Sequence, residues 1–322
     1  MSGPEIAVVI ATRERESRLA FALEALAAQS LDHGRFEVIV VRGGEETARV
    51  ASAPEGLAVR FISHPGSTGA AEQRNIGWRA ATAPLVAFTD DDCRPREDWL
   101  ERLLAAVADA DGPLIVQGRT EPDPEERHLF YGLARSIEVT GPGPWYETCN
   151  IAYPRALLER LGGFDERFPG VWGEDTDLGM RAVESGAGYR FADDALVWHA
   201  VLPLSLRAAL RETSRYDAMP LVCALHPRLR RIAFPNRLVK RSHATFLCTL
   251  AVCLIARRSP ALVLAAVAVY LRPHLERHLA SSPLTARSLL RLAVHLPAPI
   301  AIEAAEVAVT LRGSVRHGVF LI

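Results

Sequence analysis

Over its first ninety residues the chain alternates short apolar runs with segments of helical periodicity, and no other feature narrows its fold so far. The apolar runs cover residues 6–10, 36–41, 59–62 and 85–88, and turn-forming residues bound each of them. Between them, residues 19–28, 47–52 and 70–81 carry apolar side chains at helical spacing. Continuous apolar strands alternating with helices specify an α/β fold, with a mostly parallel sheet covered on both faces. In such sheets ligands collect beyond the carboxyl ends of the strands. The segments at those ends are 11–16, 42–46, 63–69 and 89–94, and all four are polar or glycine-rich. A binding face is therefore expected there.

The 322 residues leave room for about two domains. Total charge is near balance, yet the halves differ. Residues 1–200 hold 20 Arg against 33 Asp and Glu, a net of −13. Residues 201–322 hold 16 Arg and Lys240 against 5 acids, a net of +12. A basic half of this kind suggests contact with an anionic surface or ligand. Five cysteines without a CxxC pair argue against a disulfide framework or zinc site, and for a reducing compartment. The first residues enter a strand directly, without a charged segment and long apolar run, so no signal peptide is expected. Residues 119–150 are rich in Pro, Gly and acids and read as connections around one short helix. Residues 145–153 read as a returning strand, and 154–161 and 175–184 as helices. From residue 203 onward the chain reads as helical, apolar and basic.

Four motifs carry chemistry. The run Thr89-Asp90-Asp91-Asp92 follows the strand at 85–88. Three adjacent carboxylates repel one another, so they form either a solvated turn with a helix cap or the seat of a hard cation such as Mn²⁺ or Mg²⁺. Gly66-Ser67-Thr68-Gly69 opens into a helix bearing Arg74 and Asn75, a pattern suited to phosphate. Gly173-Glu174-Asp175-Thr176-Asp177 places acids in a helix's first turn, either as helix-start electrostatics or as a general base. Asp177 and Arg181 stand at i,i+4 and are expected to pair. His199 ends an apolar stretch and is either a structural residue or a metal ligand.

In this order the motifs resemble the inverting family 2 glycosyltransferases, whose nucleotide-sugar-binding domain has the GT-A fold. The resemblance spans about residues 5–200 and rests on Val9-Ile10-Ala11-Thr12-Arg13, Arg74-Asn75-x-Gly77, Thr89-Asp90-Asp91-Asp92 and Cys149-Asn150-Ile151-Ala152. It continues through Gly162-Gly163-Phe164-Asp165 and Gly173-Glu174-Asp175-x-Asp177-Leu178-x-x-Arg181. It implies that Asp90 and Asp92 are the outer members of the DxD motif. Asp92 would ligate Mn²⁺ or Mg²⁺ directly, and Asp90 would lie nearer the ribose or the metal's waters. It puts Thr12 and Arg13 beside the nucleotide base and Arg74 beside the base or diphosphate, with Asn75 and Asp91 also on the donor side. Asp175 becomes the catalytic base, and Asn150, Trp172 and Glu174 fall on the acceptor side. Trp172 would stack on a sugar, with simple packing the alternative. Some relatives use a histidine at the place of His199 to complete the metal shell.

One departure concerns the base. Most relatives carry an acid after the second strand to pair with uracil, whereas this chain has Arg42-Gly43-Gly44-Glu45-Glu46. Arginine cannot accept a hydrogen bond. Either Glu45 substitutes, or the base is guanine or thymine.

The expected organisation has a nucleotide-sugar half at 1–118, an acceptor half at 119–202 and a helical basic region at 203–322. In the last, residues 244–256 and 260–271 are apolar runs of about 20 Å as helices, short of the roughly 30 Å hydrocarbon core. They read as a shallow hairpin or interfacial helices, flanked by Arg228, Arg230, Arg231, Arg237, Lys240 and Arg241, which would meet anionic lipid. Residues 289–311 read as a further amphipathic element. A soluble helical subdomain or dimer interface is the alternative.

The leading expectation is a metal-dependent glycosyltransferase at the cytoplasmic face of the inner or plasma membrane. It would act on a lipid-linked or cell-envelope glycan; a soluble cytoplasmic protein is the alternative, and no nucleic-acid partner is expected. A nucleotidyltransferase would show a basic glycine-rich loop where this chain has Ala11-Thr12-Arg13-Glu14. A non-catalytic sugar- or nucleotide-binding module would not need Asp175.

Overall fold

The computed structural model describes residues 3–13, 15–44, 52–67, 69–130, 133–168, 172–281 and 296–322. Glu14, Glu45, Glu46, Thr68, most of the helix expected at 47–52 and the start of the stretch at 289–311 lie outside them. The chain forms two compact units, Met1–Pro203 and Leu204–Ile322.

The first unit is built on one mixed, mostly parallel eight-stranded sheet of order β3-β2-β1-β4-β7-β6-β8-β5. Its strands are β1 (Ile6–Thr12), β2 (Phe36–Arg42), β3 (Val59–Ser63), β4 (Leu85–Asp90), β5 (Cys93–Pro95), β6 (Leu114–Pro122), β7 (Asn150–Pro154) and β8 (Gly188–His199). β1 runs parallel to β2 and β4, β2 to β3, and β6 to β8, while β7 is antiparallel to both β4 and β6. Register aligns the strand ends: Thr12 lies opposite Arg42, Ala11 opposite Asp90, and Arg42 opposite Ser63. The polar segments therefore emerge along one edge.

β1 is central, and Ile6 to Ile10 are fully buried because helices cover both faces. On one face Ile6, Val8 and Ile10 pack with Leu19, Leu23 and Leu26 of α1 (Glu16–Ala27) and with Leu100 and Leu103 of α3 (Trp99–Val107). On the other, α2 (Ala70–Ala80) presses Gly77 onto the sheet so closely that a Cβ there would lie 2.3 Å from Val9 Cγ1. Beyond them lie α4 (Arg155–Leu161) and α5 (Glu174–Glu184).

The strand expected at 145–153 begins only at Asn150, and β6 and most of β8 fall where irregular connections were expected or no element was read. Their pairing slips between Gly118 and Arg119. Asn150 fills that slip, donating to the carbonyls of Arg119 at 2.7 Å and Ala195 at 2.8 Å. Its Oδ1 accepts from Trp99 Nε1 at 2.8 Å.

The second unit is helical, with α6 (Leu206–Glu212), α7 (Ala218–Leu225), α8 (Pro227–Ala233), α9 (Arg241–Ile255), α10 (Pro260–Ser281) and a final helix, Pro297–His317. α9 and α10 pack against each other as a hairpin. Glu303 and Glu306 of the final helix point inward, both about 6 % exposed. Glu306 accepts from Lys240 Nζ at 2.8 Å and contacts His243 Nε2 at 3.1 Å, and Tyr270 donates to Glu303 at 2.5 Å. The final helix is thus internal on the side that carries its acids, and Lys240 is engaged within the fold. Among the described residues no helix is long and apolar enough to cross a membrane.

Candidate active site

The acidic turn closes β4. Thr89 is buried and donates to the carbonyl of Cys149 at 2.9 Å, which holds the strand end in place. Arg74 approaches from α2, almost fully buried, and donates to Asp90 at 2.9 Å and to Glu174 at 2.8 Å. Burial opposes its charge, but Asp90, Glu174 and Asp175 outweigh that cost and raise its pKa. One guanidinium therefore ties the acidic turn, 16 residues on from Arg74, to the first turn of α5, 100 residues on.

Asp91 is held by Thr12, whose hydroxyl donates to it at 2.6 Å, and by Arg15 at 3.3 Å. Burial first, and Asp92 next, push its carboxyl up to about 6. Arg15 also bonds Asp92. The other oxygen of Asp92 lies 3.6 Å from His199 Nε2. Pairing of β5 with β8 sets this geometry, since Cys93 faces His199 and the amide of Ala200 donates to the Asp92 carbonyl at 2.9 Å. His199 Nδ1 meets the carbonyl of Ala200 at 2.8 Å, which can only accept, so Nδ1 carries the proton. Nε2 is then the ring nitrogen that faces Asp92.

Asp92, Cys93 and His199 each offer one ligand atom, all within 4.8 Å of one another. Burial raises the Cys93 thiol well above its ordinary range, and hard Mn²⁺ or Mg²⁺ prefers oxygen to sulfur, which leaves carboxylate and imidazole as donors. That set fits Mn²⁺ or Mg²⁺.

Gly173 adopts φ +98°, in the left-handed region that favours glycine, and turns the chain into α5. Glu174 is buried inward on Arg74, and its Oε2 has no hydrogen-bond partner among the described residues. Asp175 is half-buried, with Oδ1 accepting from the Thr176 amide at 2.7 Å. Burial and then the charge of Glu174 raise its pKa well above the ordinary carboxylate value. Asp177 pairs with Arg181 at 2.8 Å, as the spacing predicts. Trp172 packs on Trp145 with ring centroids 6.1 Å apart.

Thr12, Arg74, Asp90, Asp91, Asp92 and His199 thus join one constellation, and Glu174 brings Asp175 to it. Arg13 stands exposed at the end of β1. Two of the expected residues are engaged by the fold itself. Asn75, expected on the donor side, clamps the turn after α4: it donates to the Phe164 carbonyl at 2.9 Å and to Glu166, and accepts from Trp78 and the Phe164 amide. Asn150, expected on the acceptor side, is fully buried with its amide saturated by the sheet. A cavity of about 600 Å³ past Asn75, Gly163 and Arg181 is lined by none of Asp90, Asp91 and Asp92. Arg15 is the functional candidate that sequence reading missed, because its partners lie 76 and 77 residues away. Arg42 is buried and bonds Glu16, so the side chain at the uracil-pairing position is itself engaged by an acid.

A mixed, mostly parallel α/β sheet with an acidic turn at the end of a central strand gives the first unit a GT-A-like glycosyltransferase fold. Residues 7–164 match the profile of Glycosyl transferase family 2, so the first unit contains a domain of that family. It is 30% identical over 220 residues to validoxylamine A glucosyltransferase of Streptomyces hygroscopicus subsp. limoneus, covering 57% of this chain and 49% of the relative. It is 34% identical over 154 residues to pre-mycofactocin glycosyltransferase of Mycobacterium tuberculosis, covering 44% and 32%. The matches span half or less of those relatives' length. Among solved structures it resembles mannosyltransferase PcManGT of Pyrobaculum calidifontis, in complex with GDP-Man and Mn²⁺, with a TM-score of 0.57. That likeness has 20% identity and covers 97% of this chain and 88% of that one.

Proposed function

We propose that the chain is a metal-dependent inverting glycosyltransferase that moves a sugar from a nucleoside diphosphate to a hydroxyl of a lipid-linked or cell-envelope glycan. The observation that carries this reading is Arg74, whose single guanidinium holds Asp90 of the DxD turn and Glu174 beside Asp175. It brings the groups suited to a leaving diphosphate and to an attacking hydroxyl into one site.

In the reaction, Asp175 takes the proton of the acceptor hydroxyl as its oxygen bonds to the anomeric carbon, while the bond from that carbon to the diphosphate oxygen breaks. A raised pKa makes Asp175 a stronger base than an exposed carboxylate. Asp92 and His199 would hold the cation, with Asp90 beside it; when bound, the cation supplies charge stabilisation to the departing diphosphate. Thr12 and Arg13 stand where the base would lie, and Trp172 where an acceptor sugar would stack. On this reading residues 1–118 hold the donor, 119–202 the acceptor, and 203–322 meet the cytoplasmic leaflet. The exposed apolar residues Leu250, Leu254 and Ile255 of α9 and Leu262, Leu264 and Val269 of α10 support that last assignment.

The test is incubation with Mn²⁺ and a panel of nucleotide sugars plus a polyprenyl-linked or soluble glycan acceptor, following nucleoside diphosphate release. Release that requires the acceptor and stops with chelator is expected, and the active donor identifies the base that Arg42 and Glu16 accommodate. Pyrophosphate release from a nucleoside triphosphate and a sugar phosphate would overturn the reading in favour of nucleotidyl transfer.

A further inference from the structure

The acidic turn is balanced by two arginines that are held very differently. Arg74 is buried between two carboxylates and packs near the Phe164 ring, 5.8 Å from its centroid. Arg15 caps the start of α1 with no side-chain capping bond, and its side chain is 48% exposed. Its guanidinium nevertheless reaches inward to Asp91 and Asp92, whose side chains are only 8% and 5% exposed.

We propose that Arg15 is a positioning residue with two stations: it is the internal counter-ion of Asp91 and Asp92 before a divalent cation binds, and it turns to the donor's diphosphate afterwards. This rests on the function proposed above.

Three observations carry it. First, Arg15 bonds the same carboxylate, Asp92, whose other oxygen lies 3.6 Å from His199 Nε2. A guanidinium there and a divalent cation on Asp92 would be like charges in contact, so the two states exclude each other. Second, departure of Arg15 leaves no orphan, because Asp91 keeps the Thr12 hydroxyl and Asp92 gains the cation. Third, the side chain is anchored only through its head. Its backbone lies just beyond the end of β1, on the edge where the diphosphate would sit, and a planar guanidinium matches phosphate oxygens bidentately. Arg74 lacks that freedom.

The test uses the full chain and the Arg15→Gln variant. Mn²⁺ binding without nucleotide is read from the free-ion EPR signal, and nucleoside diphosphate binding at saturating Mn²⁺ from calorimetry. For Arg15→Gln we expect Mn²⁺ alone to bind about 10-fold more tightly and the nucleoside diphosphate about 10-fold more weakly, the scale of one charge-assisted hydrogen bond. Arg18→Gln removes the same charge from the next turn of α1, where Arg18 bonds Glu126. It is expected to leave Mn²⁺ affinity unchanged, which separates displacement from a general field effect. Unchanged or weaker Mn²⁺ binding in Arg15→Gln, or equal tightening in Arg18→Gln, overturns the first station. Unchanged nucleotide affinity overturns the second. Failure of every form, wild type included, to bind Mn²⁺ would instead overturn the metal-site reading itself.

Discussion

Asp175 faces opposing demands, since a base must be ionised while its surroundings favour the neutral form. Replacing it with Asn is expected to spare donor binding and lower turnover by at least about 10²-fold. Its raised pKa also sets a pH dependence. The native carboxyl binds its proton more tightly than the unfolded one, so stability is lost as pH rises from the ordinary carboxylate value through the raised one. Asp175→Asn should therefore melt at a higher temperature than wild type at neutral pH, with the gain vanishing in acid. Melting curves across pH check this, and a pH-independent difference would remove the ionisation argument. Activity should fall as pH drops through a value above the ordinary carboxylate range. Asp92→Ala should abolish metal-dependent nucleotide binding; wild-type affinity in Mn²⁺ would count against the site.

At the level of elements, α2 matters because it carries Arg74. Its distance from the sheet is set by Gly77, where an added Cβ would meet Val9 Cγ1 at 2.3 Å and Val41 Cγ2 at 3.3 Å. Both contacts are branched side chains in a filled core, with little room to give. Gly77→Ala is therefore expected to destabilise the fold by about 1–3 kcal/mol despite alanine's better helix propensity. It should also weaken donor binding, because α2 would move Arg74 away from Asp90 and Glu174. Urea unfolding and nucleotide titration read the two effects. A variant more stable than wild type would show that the sheet and α2 are not in hard contact.

On the scale of the whole molecule, the acidic first unit and basic second unit predict different partners. The exposed apolar face of the α9–α10 hairpin includes Leu254 and Ile255, at 67% and 86% exposure. The full chain should sediment with anionic vesicles at low salt and less so at high salt, since screening removes the arginine contribution and leaves apolar insertion. Substituting both Leu254 and Ile255 with Asp should leave the chain in the supernatant without lowering its melting temperature. If wild type ignores vesicles and the same substitutions split a dimer instead, the face is a contact between copies of this chain.

The order of β1, α1, β2, β3, α2 and β4 was legible because each is a local pattern of apolar side chains, with boundaries wrong by only a few residues. The acidic turn at Asp90–Asp92, the Arg74 helix and the Glu174-Asp175 turn were legible as local patterns for the same reason. What the sequence alone could not decide was which polar side chains the fold consumes. Asn75 and Asn150 sit within motifs yet spend their amide donors on the turn after α4 and on a slip between β6 and β8, and accept from Trp78 and Trp99. β6 and β8 draw much of their stability from pairing with distant partners, so local periodicity understates them. Arg15 is one of many arginines until tertiary structure sets it against Asp91 and Asp92. Local patterns determine elements and motifs. Long-range packing decides which charges meet, because electrostatic partners are chosen by distance in space rather than along the chain.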